Sequence, residues 1–168
     1  MKRFICLLLA GLLCTSLAGC AKTYRGTQAL VQKAREEIPI AEADTIELAY
    51  AGMSVRGEQA LAWFISGNAY QAHYYLPMEV TCKGEDQYTY VRTYKTADDV
   101  LDIAVLHWND GYAFCVNNPA CVCVRITDAA GVYEREIAPG AHPYVFYWPS
   151  QLTSYEFLDA GGDTLGTS

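Results

Sequence analysis

Histidine is scarce in this chain of 168 residues: His73, His107 and His142 are the only three, and no two of them stand at metal-ligand spacing. The H-E-x-x-H pattern, which sets two imidazoles on one helix face around zinc, is therefore missing. No serine stands in a G-x-S-x-G elbow and no glycine-rich phosphate loop follows a strand. His107, beside Trp108 and just ahead of a turn, reads as a strand-end histidine with an ordinary partner. Basic residues are also few, 12 against 19 acidic ones, which argues against nucleic acid, whose phosphates need a basic footprint. The acids do not make up a metal site. Asp98, Asp99 and Asp102 cluster, and Asp159 and Asp163 flank two glycines, but neither segment offers the oxygen ligands of a D-x-[DN]-x-[DN]-G calcium loop. Turn and strand-end chemistry accounts for both. No metal or cofactor is expected, and the chain has no internal repeat or low-complexity tract.

Long apolar runs are missing too. The run from Phe4 to Leu13, preceded by Lys2 and Arg3, is too short to span a bilayer permanently. Basic residues, an apolar core and then small residues make a secretory signal peptide rather than a structural helix. The segment ends in Leu17-Ala18-Gly19-Cys20. This tetrapeptide resembles the lipobox of bacterial lipoproteins. The resemblance covers the first 20 residues and implies that the Cys20 thiol takes a diacylglyceryl group and becomes the N-terminus after cleavage. It implies an extracytoplasmic protein held to the cell membrane through acyl chains, two of which anchor stably where one does not. The expected organisation is a signal peptide at 1–19, the lipidated cysteine with a short membrane-proximal helix at 20–44, and a single β-rich domain at 45–168. With 52% hydrophobic residues the chain can bury a real core.

Charge is unevenly spread. Residues 20–35 carry Lys22, Arg25, Lys33 and Arg35 and no acid, whereas residues 36–168 carry a net −13. The basic end is the lipidated end, so these four cations are expected against anionic headgroups, each worth about 1 kcal/mol close to the surface. No Ser/Pro-rich spacer follows Cys20, so the domain is expected to begin close to the membrane.

Thr27 to Ile38 reads as one short helix, with Leu30, Ala34 and Ile38 on one face and Pro39 as its stop. From Thr45 the period falls to 2: Ile46, Leu48 and Tyr50 alternate with more polar neighbours. Ala60 to Ile65 is apolar throughout and suits a central strand buried on both sides. Strands follow at Tyr70–Cys82, Tyr88–Tyr94, Leu101–His107, Tyr112–Val116, Cys121–Thr127, Val132–Ile137, Tyr144–Trp148 and Tyr155–Leu158, separated by Gly, Asn, Asp and Pro turns. The fold class is mainly β, an antiparallel β-sandwich preceded by one short helix. The C-terminal half has the strand count of an immunoglobulin-like sandwich without the Cys…Trp…Cys spacing of true immunoglobulin domains. The alternative is an α+β domain with the helix packed on one sheet.

Four further cysteines follow the lipid site: Cys82, Cys115, Cys121 and Cys123. They read either as small buried hydrophobes or as disulfide partners, the feasible bridge being Cys115 with Cys121 or Cys123 across the Asn117-Asn118-Pro119 turn. Cys121 and Cys123 are expected on one strand face. Thirteen tyrosines and three tryptophans are many for this length. Tyr88, Tyr90 and Tyr94 are expected on one strand face with Arg92 between them, and Tyr144 to Trp148 puts rings on both faces of a strand. These rings either fill a core or form an exposed platform for a sugar or a partner protein. The leading expectation is a non-catalytic envelope binding or interaction module. The alternatives are an envelope enzyme acting on a glycan or peptide through paired carboxylates, and a structural subunit of a lipoprotein complex.

Overall fold

The computed structural model describes residues 22–38, 46–67, 74–95, 97–98 and 101–167. The signal peptide, Cys20, Pro39, Thr45, Tyr70, Ala72, His73 and Asp99 lie outside the described residues.

The first half builds one antiparallel sheet of β1 (Thr23–Arg25), β2 (Leu48–Arg56), β3 (Gln59–Ser66), β4 (Tyr74–Gly84), β5 (Gln87–Thr93) and the two-residue β6 (Ala97–Asp98). Its order is β1-β5-β4-β3-β2, with β6 on β4. The apolar run of β3 occupies an interior position because both its faces are covered. Ala60, Ala62 and Phe64 point to a core shared with helix α1 (Gly26–Glu36), and Leu61 and Trp63 point into a second core. Leu30 and Ala34 of α1 are fully buried there, and Ile38, two residues past the helix end, still packs against it.

The second half builds two smaller sheets. The middle sheet is β7 (Ile103–Trp108), β8 (Gly111–Val116) and β11 (Tyr144–Trp148), ordered β11-β8-β7. The outer sheet is β9 (Cys123–Asp128), β10 (Gly131–Glu136), β12 (Leu152–Leu158) and β13 (Thr164–Thr167), ordered β10-β9-β12-β13. Three strands facing four is the immunoglobulin-like architecture, with one shift: β10, fourth of the seven, pairs with the third strand rather than the fifth. The polypeptide thus stacks as helix, first sheet, middle sheet and outer sheet, with three cores between them. Alternation along β8 shows the stacking directly. Phe114 and Val116 face the outer sheet, while Ala113 and Cys115 face the first. The fold is mainly β with one short N-terminal helix, as expected, and the helix-backed first sheet and residues 101–167 are joined by a shared core.

Two bulges set which side chains reach which core. Ala51 interrupts the β2–β3 register between Tyr50 and Gly52. Gly52 then lets β2 come against β11, since a Cβ there would lie 3.0 Å from the Val145 Cβ and the backbone φ is +147°. Val91 interrupts β5: Tyr90 pairs with Val80, but Arg92 pairs with Glu79. The expectation that Tyr88, Tyr90 and Tyr94 share a face is corrected by this bulge. Tyr88 and Tyr90 pack in the helix-side core, and Tyr94 packs in the middle core.

Candidate interaction face

The outward side of the outer sheet carries an open concavity. Opposite residues of three neighbouring strands line up as Glu134, Arg125 and Glu156, because Arg125 pairs with Glu134 on one side and Glu156 on the other. The guanidinium bonds both carboxylates, at 3.0 and 3.1 Å. Beside this row an open cleft of about 720 Å³ is bounded by Cys123, Arg125, Glu136, Pro139, Leu158 and Asp159. Its far wall is a tight turn in which the Asp159 carboxylate accepts the backbone N–H groups of Gly161 and Asp163, at 2.8 and 2.9 Å. Asp159 and Asp163 therefore do turn chemistry, as their spacing with glycine suggests.

At the edge of the same sheet, β10 pairs only with β9, leaving its other side without a strand among the described residues. Val132 and Tyr133 stand exposed on it, at 62% and 39%. The Tyr133 ring lies 5.0 Å from that of Trp148, and Arg135 reaches over Phe146 and Trp148, at 5.2 and 5.9 Å. The edge is thereby pinned to the sandwich by ring and cation contacts while its backbone stays open.

Tyr74 at the start of β4 is likewise exposed, at 50%, whereas the rings of β11 turn into cores. Tyr144, Phe146 and Trp148 turn into the outer core and Tyr147 into the middle one, as their alternation predicts. The one parallel stack among the described residues, Phe114 on Phe146 at 4.6 Å, has both rings buried.

Cys82, Cys115, Cys121 and Cys123 are free thiols, so the bridge from Cys115 to Cys121 or Cys123 is not made. Cys115 faces the middle core and Cys121 the outer core, on opposite sides of the middle sheet. Cys121 and Cys123 do not share a face either. The strand begins at Cys123, and Cys121 sits before it in the loop, buried, its carbonyl oxygen accepting from His142 Nε2 at 3.0 Å. Burial pushes each of the four thiols above its ordinary pKa, which suppresses the reactive thiolate. His107 is a strand-end residue with a Gln151 partner at 3.2 Å and Tyr112 edge-on at 5.0 Å.

Among the described residues, the acids with displaced pKa values, Glu37, Glu79, Asp110 and Asp128, move downward. Glu37 is held down by Lys33 and then Tyr90, Asp110 by Tyr147, and Asp128 by Ser150. Burial alone would raise Glu79, but the Tyr94 hydroxyl and Arg92 Nε, at 2.7 and 2.8 Å, outweigh it. The buried Trp108 indole N–H adds to the lowering without reaching hydrogen-bond geometry. A glycan hydrolase needs the opposite, a carboxyl raised enough to donate a proton near neutral pH. Among the described residues, no group of three His, Cys, Asp or Glu side chains is placed to hold a metal ion.

The four cations expected at the membrane part company. Lys33 bonds Glu37, lies 3.5 Å from Glu36 and covers the Tyr90 ring at 4.4 Å. Arg35 has a buried Nε. Lys22 and Arg25 are exposed, and Arg25 pairs with Gln87, next to the Glu85-Asp86 turn. No protein family, curated protein or solved structure matches this chain. The open edge of β10 escapes sequence reasoning because edge status depends on pairings distant in the chain. Its one local sign is the adjacent Val132-Tyr133 pair, both large and apolar where one should face solvent.

Proposed function

We propose that this protein is a lipid-anchored extracytoplasmic module that binds an extended polypeptide segment in the cell envelope without catalysing a reaction on it. The observation that carries this reading is the open edge of β10, with exposed Val132 and Tyr133 beside an open cleft. An exposed edge presents a row of unpaired N–H and C=O groups, to which a partner strand adds by backbone hydrogen bonds while pockets select its side chains. The lipobox at Leu17–Cys20 supports the anchor, and β1 begins at Thr23, three residues beyond Cys20. Packed sheets stand about 10 Å apart, so the outer sheet lies roughly 20 Å from the first sheet that carries the tether. That separation presents β10 and the cleft to partners rather than to the point of attachment.

Two measurements test the reading. Cys20→Ser should abolish palmitate labelling and release the protein from the membrane fraction. A photo-reactive residue at Val132 in the lipidated protein should give a discrete adduct in intact cells that the same residue at Gln28 on α1 does not give. Equal adducts from both positions, or none from Val132, would remove the β10 edge as the binding site.

A further inference from the structure

The short tether also determines which surface rests on the bilayer, an inference that depends on the lipid anchor proposed above. A chain of three residues reaches at most about 11 Å, so Cys20 is bound to stay within that distance of Thr23. Thr23 itself is fixed on the edge of the first sheet by its pairing with Thr89. Because β1 and β5 are antiparallel, Lys22, the residue ahead of Thr23, lies toward Tyr90 and Val91 rather than toward the β4–β5 hairpin. Val91 lies two residues, about 7 Å, past Thr89 in that direction. No strand covers this side of β5 beyond Thr89 among the described residues, since β6 pairs with β4.

The side chains along this stretch have the chemistry of a headgroup contact. The bulge leaves Val91 47% exposed, an apolar group on an edge where alternation alone would not demand one. Arg92, beside it, keeps 60% of its side chain exposed even while it bonds Glu79. Lys95 is exposed just beyond, and Lys22, at the tether, is exposed with its Nζ 5.2 Å over the Tyr24 ring. The acids of the β4–β5 hairpin, Glu85 and Asp86, sit at the other end of β5, and Glu79 is buried under Arg92. The acids nearest this stretch, Glu37 on the Tyr90 hydroxyl at 2.7 Å and Glu36, are both paired with Lys33. We infer that the edge formed by Lys22, Val91, Arg92 and Lys95 is a membrane-docking surface for anionic lipid headgroups, with Val91 at its centre. Lys33 takes no part, being bonded to Glu37 and laid over the Tyr90 ring. The cations supply attraction that falls with salt, and Val91 supplies a small apolar foot between them.

The test uses the lipidated protein reconstituted in vesicles containing phosphatidylglycerol, with benzoylphenylalanine replacing Val91 or, separately, Val132. Lipid adducts are expected from position 91 and not from position 132. Adding Lys22→Glu and Lys95→Glu to the position-91 protein should cut the adduct yield about fivefold or more in these vesicles, and should leave the low yield in pure phosphatidylcholine unchanged. Equal lipid adducts from the two positions, adducts from 132 alone, or indifference to the charge reversal would each overturn the docking surface. Failure of the anchor itself shows separately: protein that floats free of the vesicles carries no lipid on Cys20, which overturns both readings at once.

Discussion

On one face of the first sheet, Ala60, Ala62, Phe64, Leu76, Met78 and Val80 meet Leu30, Val31 and Ala34 of α1 through apolar atoms, with the Lys33–Glu37–Tyr90 group kept at the rim. On the other face the same sheet meets the middle sheet with polar groups buried among the rings. Ser54 donates to the Phe146 carbonyl at 2.9 Å and accepts from Trp63 Nε1 at 3.1 Å, and Glu79 is only 3% exposed. Apolar packing is strong but non-directional, so it holds the helix down without dictating its rotation closely. A buried hydrogen bond is costly to misplace, because an unmatched donor or acceptor keeps its desolvation penalty. The contrast teaches that burial holds each half together, whereas bonded polar groups fix how the two halves sit on one another.

The change with the largest expected effect attacks the joined side. Gly111 opens β8 at the place where β11 crosses: a Cβ there would lie 2.1 Å from the Trp148 carbonyl oxygen and 2.7 Å from the Tyr147 hydroxyl. Backbone cannot step aside as a side-chain end can. Gly111→Ala should therefore cost more than about 3 kcal/mol, a large share of the roughly 5–15 kcal/mol a domain holds. Urea denaturation followed by circular dichroism measures this. A loss no greater than that of an exposed substitution would mean that β11 can move off β8 freely.

Next comes a direct comparison of the two faces. Leu30→Ala on the helix side should cost about 2–5 kcal/mol through lost burial and a residual cavity. Ser54→Ala on the joined side removes one oxygen but orphans two groups, the Trp63 indole N–H and the Phe146 carbonyl, and should cost about 1–3 kcal/mol. The two differ in coupling. Trp63→Phe removes the orphaned donor, so Ser54→Ala with Trp63→Phe should cost less than the sum of the single changes, while Leu30→Ala with Trp63→Phe should be additive. Additivity in both pairs would erase the distinction drawn between the faces.

Much of this arrangement is legible in the residues. Ala60 to Ile65 announces a doubly covered strand, Tyr144 to Trp148 matches β11 residue for residue, and the Asn109-Asp110, Glu85-Asp86 and Asp128–Gly131 signals fall at hairpins. What escapes is what depends on partners far along the chain. β1 is three residues of no clear period, made a strand only by pairing with β5, and β6 and β13 are similarly short. The extra residues at Ala51 and Val91 reverse the parity of everything after them, so a period read from sequence assigns Tyr94 to the wrong core. The charge count marks Lys33 as a cation but not that Glu37 has already claimed it. The candidate face suffers most, since neither the open edge of β10 nor the outward turn of Cys123 is a local property.

The smallest expected effect concerns Glu79 and appears only in acid. In the folded protein its carboxyl is held below the ordinary value of 4.5, because the Tyr94 hydroxyl and Arg92 outweigh the effect of burial. Unfolding returns it to that ordinary value. The unfolded chain then binds the proton more readily, so Glu79 contributes its stability in full above about pH 4.5 and loses it as pH falls through the lower folded pKa. Glu79→Gln keeps the shape and an acceptor for Tyr94 but cannot titrate. Its melting temperature should therefore lie below that of the native protein at pH 7, and the gap should narrow steadily between pH 5 and pH 3. Glu37→Gln, on the helix side, should narrow in the same direction, because Lys33 and Tyr90 also hold that carboxyl low. The two separate in salt: the Glu37 contribution, set at the rim, should fade in 1 M sodium chloride, and the buried Glu79 contribution should persist. Equal salt sensitivity would show that Glu79 is as open to solvent as the rim and that no buried charge marks the joined face.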